Sequence, residues 1–118
     1  MIDSFILDFE LQTVSCDEYR KHEETLLKYS IIDSNTINFS EYISLSPSSS
    51  NKTGRFLCEL ADKHGVIITG KAEPFWVGPS KIKLNIFFEG MSIEKLIKWY
   101  KHYGFIVKEN NDIIRYPK

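Results

Sequence analysis

Apolar and polar side chains alternate along several stretches of the chain, and a period of two residues indicates half-buried β-strands. In residues 5–11, Phe5, Phe9 and two leucines fall on one face, while Asp8 and Glu10 fall on the other. An apolar run without alternation is instead typical of a central strand covered on both faces. The strands predicted from these patterns, and from two short runs near the C-terminus, are 5–11, 36–45, 66–73, 82–88, 105–109 and 112–116.

Three further segments, 15–29, 53–65 and 92–104, are predicted to be helices. The first opens with Ser-Cys-Asp-Glu, which fits a capping box. The second and third end at Gly65 and Gly104, because glycine suits the left-handed conformation that terminates a helix. In the third, apolar residues recur at the spacing i, i+3, i+4, i+7 of a helix with one buried face.

The size and composition of the chain predict one globular domain over residues 1–118. The chain has 118 residues, of which 42% are hydrophobic and 26% charged, close to the average for a globular protein. Helices interspersed among strands indicate an α/β domain. No apolar run reaches the ~18 residues that span a bilayer, and the N-terminus lacks a secretion signal, so we expect a cytoplasmic protein with no membrane partner. The two cysteines and three histidines are scattered, so no metal site is predicted.

The charge of the chain is unevenly distributed. Residues 1–50 carry three basic and nine acidic side chains, a net charge of −6, and residues 51–118 carry a net charge of +5. A polyanionic ligand is therefore expected to bind the C-terminal half. Because the excess is smaller than on most DNA-binding domains, a small polyphosphate fits better than nucleic acid.

A candidate phosphate site lies where the serine-rich segment 48–55 leads into the second predicted helix. Backbone N–H groups at a helix N-terminus are unpaired and attract anions, and Lys52 and Arg55 add full positive charges. Ordinary helix capping by serine and threonine is the alternative interpretation of the same residues.

The third predicted helix carries a family resemblance. Residues 96–105, Leu-Ile-Lys-Trp-Tyr-Lys-His-Tyr-Gly-Phe, resemble the C-terminal signature of the GNAT superfamily of N-acetyltransferases. In that family a tyrosine four residues before a Gly-Phe pair lies on the last main helix, and Tyr100 matches it. The closing residues 112–117 are similar to the ends of small, phage-type members.

The family's pyrophosphate motif falls on residues 48–55. Gly54 matches the second glycine of the motif. Leu57 matches the apolar residue that the motif has three positions later. Lys52 stands where the first glycine is usual, and no Arg or Gln begins the motif. The resemblance is therefore closer in the tyrosine helix than in this loop.

The resemblance implies a mixed central sheet flanked by helices, with a V-shaped cleft between the strands 36–46 and 66–73. It also implies that acetyl-CoA binds in the cleft and that an amine attacks its thioester directly. Tyr100 would protonate the departing thiolate, Glu41 would take the proton of the amine, and a backbone N–H near Ser44 would stabilise the oxyanion. The implied cofactor-binding residues are Ile43, Ser44 and Leu45 along pantetheine and Ser49, Ser50, Asn51, Lys52, Thr53, Gly54 and Arg55 around the pyrophosphate.

Both catalytic candidates also have structural interpretations. Tyr100 occupies a position of the apolar stripe, where an aromatic side chain commonly belongs to the core. Glu41 falls on an otherwise apolar strand face, which a β-bulge also explains.

Two functions remain as hypotheses from the sequence. The first is an acetyl-CoA-dependent N-acetyltransferase acting on a protein lysine, a protein N-terminus or a small amine; the acidic N-terminal half suits a basic acceptor. The second is a catalytically inactive GNAT-like binding protein, such as a phage or mobile-element inhibitor of a host factor. Either a monomer or a dimer is compatible with the sequence.

Overall fold

The computed structural model describes residues 2–44, 47–71 and 93–118, which form one seven-stranded sheet and three helices. In chain order, the elements are α1 (Ile2–Leu11), β1 (Val14–Cys16), β2 (Tyr19–His22), β3 (Thr25–Asp33), β4 (Thr36–Ser44), α2 (Pro47–His64), β5 (Ile67–Lys71), α3 (Ile93–His102), β6 (Ile106–Val107) and β7 (Asp112–Arg115).

The strand order of the sheet is β1-β2-β3-β4-β5-β7-β6. Neighbouring strands are antiparallel except β4 and β5, which run parallel. A parallel pair needs a long crossover connection, and α2 provides it. The predicted α/β class with a mixed sheet is therefore confirmed.

The strand predicted at 5–11 is wrong, because these residues belong to helix α1. Phe5 and Phe9 are completely buried, one helical turn apart, and their rings stack with centroids 6.0 Å apart. Leu7 and Leu11, which the alternating pattern placed on the same face as the phenylalanines, are 66% and 78% exposed. The pattern thus contained a helical spacing as well as an alternating one, and packing on α2 selected the helix.

The helix predicted over 15–29 is also wrong, because this segment forms β1, β2 and the start of β3. Two-residue turns join the three strands, and the first residue of each turn, Asp17 or Glu23, has a positive φ of 54°. Such turns match the twist of an antiparallel hairpin. The polar residues that suggested a capping box therefore belong to a tight turn.

Most of the other elements predicted within the described residues are present, with shifted ends. Strands β4, β5, β6 and β7 and helix α3 lie where the sequence predicted them. Gly65 and Gly104, with φ of 67° and 90°, follow α2 and α3 as predicted. The strand predicted at 82–88 lies outside the described residues.

The core lies between one face of the sheet and the helices α1 and α2. Leu27 of β3 and Ile37 of β4 are completely buried there, and Ala61 of α2 packs into the same cluster. We call this the helix face of the sheet. In the part of the chain that the structure describes, no helix is long and apolar enough to cross a membrane.

A buried ion pair connects α2 to the C-terminal strand. Arg115 is only 3% exposed, and its guanidinium donates two parallel hydrogen bonds to the Asp62 carboxylate, at 2.9 and 3.0 Å. Its Nε also donates to the carbonyl of Tyr103, at 2.7 Å, so the pair holds the end of α3 as well. Burial opposes ionisation of Asp62, but the hydrogen bonds from Arg115 outweigh it and the pKa of Asp62 is lowered.

We expect Asp62→Ala to lower the free energy of unfolding by about 3 kcal/mol, because it leaves a buried guanidinium without its carboxylate. Urea denaturation measures this change. Glu59→Ala, on the exposed side of the same helix, is the control and is expected to change stability by less than about 0.5 kcal/mol. Equal effects of the two substitutions would show that the ion pair contributes nothing.

Candidate functional site

The parallel pairing of β4 and β5 is short. It joins Thr36 with Ile67, Ile37 with Ile68 and Asn38 with Thr69, and it stops there although β4 continues to Ser44. Since strand residues direct backbone groups to both sides, the edge of β4 beyond Asn38 has N–H and C=O groups that no other described strand pairs.

A cavity of about 40 Å³ lies on the helix face beside this unpaired edge. Its walls come from β4, β5, α2, α3 and β7 and are mainly apolar. Such a lining accepts an uncharged group and excludes bulk water. Its aromatic members are Phe39, Tyr42, Trp99, Tyr100, Tyr103 and Phe105.

Tyr100 is one wall of this cavity. Its ring contacts Trp99 and Phe105 edge-on, with ring centroids 5.2 and 5.3 Å away. Its hydroxyl has no hydrogen-bond partner among the described residues. Burial raises the pKa of Tyr100 to about 12, so the phenol stays protonated at neutral pH and is able to donate a proton or a hydrogen bond.

A β-bulge interrupts β4 beside the cavity. Lys28 of β3 lies opposite Glu41, and Tyr29 lies opposite Phe39, so Ser40 between them has no opposite residue. The sequence offered a β-bulge as a structural explanation for a glutamate on an apolar strand face, and this bulge is present beside Glu41. A bulge also disrupts the local ladder of backbone hydrogen bonds.

The bulge shifts Glu41 to the face of the sheet opposite the helices. Tyr42 is paired with the buried core residue Leu27 and shares its face, so the neighbouring Glu41 points the other way. Its Oε2 atom is buried and has no hydrogen-bond partner among the described residues. Glu41 does not line the cavity that contains Tyr100, so the two catalytic candidates lie on opposite faces.

The loop predicted at 48–55 is wrong, because α2 begins at Pro47 and includes these residues. Proline is well tolerated at the first helical position, where its missing N–H is not needed. The amides of residues 51–55 lie within the regular hydrogen-bonding pattern of this helix, so they are not available to a phosphate. Leu45, predicted to contact pantetheine, lies outside the described residues.

Thr53, one of the predicted pyrophosphate residues, is bonded to another part of the protein instead of being free for a ligand. Thr53 is completely buried, donates to the His22 carbonyl at 3.2 Å and lies 2.7 Å from its Nδ1. Because a hydroxyl has one proton, Nδ1 carries the hydrogen of this second bond. Burial lowers the pKa of His22, in agreement with a neutral ring. Lys52 and Arg55 are exposed.

Gly54 has a packing role that the sequence did not reveal. A Cβ atom at this position would lie 3.0 Å from the ring of Trp99 and 3.3 Å from that of Tyr103. Trp99 also donates through Nε1 to Asn51, at 3.0 Å, and the Tyr103 hydroxyl donates to the Asn51 carbonyl, at 3.2 Å. Glycine is therefore required because α3 packs closely on the first turns of α2.

The remaining predicted contacts lie near the end of β4. Ile43 is completely buried on the face of Glu41, and the buried side chain of Ser44 lies on the helix face. The Ser50 carbonyl accepts a hydrogen bond from Tyr42. Sequence analysis missed Tyr42, Trp99 and Tyr103; the spacing of the last two, four residues apart on α3, was the available signal.

Comparison with protein-family models, with curated proteins and with solved structures finds no match to this chain.

We expect Gly54→Ala to push Trp99 away from α2. Alanine is favoured in helices by about 1 kcal/mol, but overpacking costs about 1–3 kcal/mol, so a net loss of about 1 kcal/mol is expected. Replacing the other tryptophan, Trp76→Phe, makes Trp99 the sole tryptophan reporter, and its emission should shift to the red. Lys52→Ala, an exposed change in the same helix, is the control and should leave the emission unchanged; an unchanged spectrum in Gly54→Ala would contradict the close packing.

Proposed function

We propose that this chain is a GNAT-type N-acetyltransferase that transfers the acetyl group of acetyl-CoA to an amine. The observation that carries the proposal is the short parallel pairing of β4 and β5 beside an aromatic cavity that includes Tyr100. A mixed sheet with helices and one parallel pair accords with the fold that the tyrosine-helix resemblance implies.

In this proposal the donor lies in a V-shaped cleft that opens where the parallel pairing ends. The edge of β4 near Ile43 and Ser44, which no other described strand pairs, offers backbone groups to the amides of pantetheine. The pyrophosphate lies at the N-terminal end of α2, where the positive end of the helix dipole favours it. The exposed side chains of Lys52 and Arg55 supply further positive charge.

The amine attacks the thioester carbon, and negative charge develops on its oxygen. A backbone N–H released from the ladder, at the bulge residue Ser40 or near Ser44, stabilises that charge. The carbon–sulfur bond then breaks, and Tyr100 gives its proton to the thiolate. Burial raises the pKa of Tyr100, and the same cavity raises the pKa of a buried thiol, so the two groups remain comparable.

Glu41 receives the proton of the amine in this mechanism. It lies on the face of the sheet opposite the cavity, so the amine approaches from that face while the donor occupies the helix face. The buried Oε2 of Glu41 has no hydrogen bond to any residue that the structure describes, and this supports its role as acceptor of the ammonium proton.

A second candidate is a catalytically inactive binding protein. It is favoured by the close contacts of Trp99 and Tyr103 with α2 and by the cavity volume of about 40 Å³, which is small for a pantetheine arm. In this candidate the aromatic side chains complete the core instead of lining a cofactor channel.

Ligand binding separates the two candidates. At about 100 times its dissociation constant, a ligand that binds the folded state stabilises it by about 2.7 kcal/mol, which raises the melting temperature by several degrees in a domain of this size. We expect this rise with acetyl-CoA and with CoA, measured by differential scanning fluorimetry. The absence of any rise at millimolar concentration would exclude the acetyltransferase and favour the binding protein.

We expect Tyr100→Phe to lower kcat about 100-fold or more, with acetyl-CoA and a panel of lysine peptides and polyamines as substrates, because it removes the proton donor. The dissociation constant of acetyl-CoA and the melting temperature should change little, since the hydroxyl has no described hydrogen bond to lose. Release of CoA, measured with a thiol reagent, gives the rate. Tyr116→Phe, at an exposed position outside the cavity, is the control, and a fully active Tyr100→Phe would refute the role of the phenol.

A further inference from the structure

The residues that line the aromatic cavity differ in exposure along its depth. Its aromatic members on β4 and α3 are half-buried, so they lie towards the surface. Its inner end is formed by four side chains that are all buried. They come from α2, β5 and β7 and are Leu57, Cys58, Ile68 and Ile113. A ligand that enters the cavity therefore passes the aromatic rings first and reaches these four side chains last.

The described residues at the inner end are uncharged. Leu57 and Ile68 belong to the hydrophobic core cluster. Burial raises the pKa of the Cys58 thiol to about 11, so this group is neutral at physiological pH. Because burying a charge or an unpaired polar group costs free energy, the inner end favours the hydrocarbon part of a ligand.

The aromatic part of the cavity offers a hydrogen-bond donor. The hydroxyl of Tyr42 donates to the Ser50 carbonyl, and that of Tyr103 donates to the Asn51 carbonyl. The Tyr100 hydroxyl, by contrast, has no hydrogen-bond partner among the described residues. A fitting ligand therefore carries an acceptor group followed by a hydrocarbon end, and an acyl thioester has this order of groups.

The volume of the cavity limits how much hydrocarbon it holds. A water-sized group needs about 10–15 Å³ on the same measure, so a cavity of about 40 Å³ holds about three such groups. A methyl or methylene group is similar in size to a water molecule. Acetyl and propionyl groups therefore fit, whereas a hexanoyl chain is about twice too long.

We propose that this cavity receives the acyl chain of the donor and that Leu57 and Cys58 limit the chain to about three carbon atoms. This inference rests on the proposed acetyltransferase function, and it adds propionyl-CoA as a donor equal to acetyl-CoA. The pantetheine arm stays outside the cavity, which is too small for it. A longer acyl chain has to displace packed side chains at the inner end, and such overpacking costs free energy.

Isothermal titration calorimetry with acetyl-CoA, propionyl-CoA and hexanoyl-CoA tests this limit. In the unchanged protein we expect dissociation constants within about threefold for the two short donors and at least about tenfold higher for hexanoyl-CoA, because of overpacking. Leu57→Ala removes side-chain atoms from the inner end and leaves space there. In this variant the dissociation constant of hexanoyl-CoA should fall to within about threefold of that of acetyl-CoA.

Leu60→Ala is the matched control. Leu60 lies on the same helix, is as buried as Leu57 and belongs to the same core cluster, but it does not line the cavity. This substitution should leave the ratio of the hexanoyl-CoA and acetyl-CoA dissociation constants as it is in the unchanged protein. If Leu57→Ala does not fold, Cys58→Ala makes a smaller space, and the ratio for butyryl-CoA over acetyl-CoA should then fall.

Two results would overturn the inference, and they differ. If the unchanged protein binds all chain lengths equally, or if Leu57→Ala and Leu60→Ala give the same ratio, the acyl chain lies outside this cavity while the acetyltransferase proposal stands. If the unchanged protein binds neither CoA nor any acyl-CoA with detectable affinity, the acetyltransferase proposal fails and the inference fails with it.

Discussion

Three residue pairs between β4 and β5 hold the two parts of the sheet together. On one side lie the four strands β1 to β4, and on the other lie β5, β7 and β6. So short a parallel contact is weak by itself, because three residue pairs supply only a few ladder hydrogen bonds. The remaining connection comes from α2, which follows β4 and precedes β5 and packs its apolar side on the sheet.

Helix α2 therefore both stabilises the fold and positions the candidate site. Its C-terminal half is held by the Asp62–Arg115 ion pair, and its first turns are held by the β2–β3 hairpin on one side and by Trp99 of α3 on the other. The pairing of β4 with β5 ends at Asn38 and Thr69. The candidate site lies beside the end of this pairing, and its position follows from how α2 is anchored.

The catalytic hypothesis depends on two side chains, Tyr100 and Glu41, that lie on opposite faces of the sheet. Tyr100 is part of an aromatic wall on the helix face, and the burial that raises its pKa also makes it a core residue. Glu41 lies on the other face, where the bulge at Ser40 puts it. The proposed mechanism therefore requires the thioester to lie between β4 and β5, within reach of groups on both faces of the sheet.

Much of the structure of the C-terminal half could be predicted from the sequence. In α3 the helical spacing, the terminal Gly104 and the packing of Phe105 on Tyr100 were all predictable, because each is a contact between residues close in sequence. In the N-terminal half both early predictions failed. Residues 5–11 and 15–29 carry patterns that fit either a helix or a strand, and contacts with α2 and between hairpins decided among them.

The sequence by itself determined the α/β class, the mixed character of the sheet, the tyrosine helix and the bulge alternative for Glu41. Only the tertiary structure decided that Gly54 is required by the ring of Trp99, that α2 begins at Pro47 and that Glu41 and Tyr100 lie on opposite faces. The physical reason is the range of the interactions. Capping and periodicity depend on neighbours within a few residues, whereas Trp99 is 45 positions from Gly54 and meets it only when α3 packs on α2.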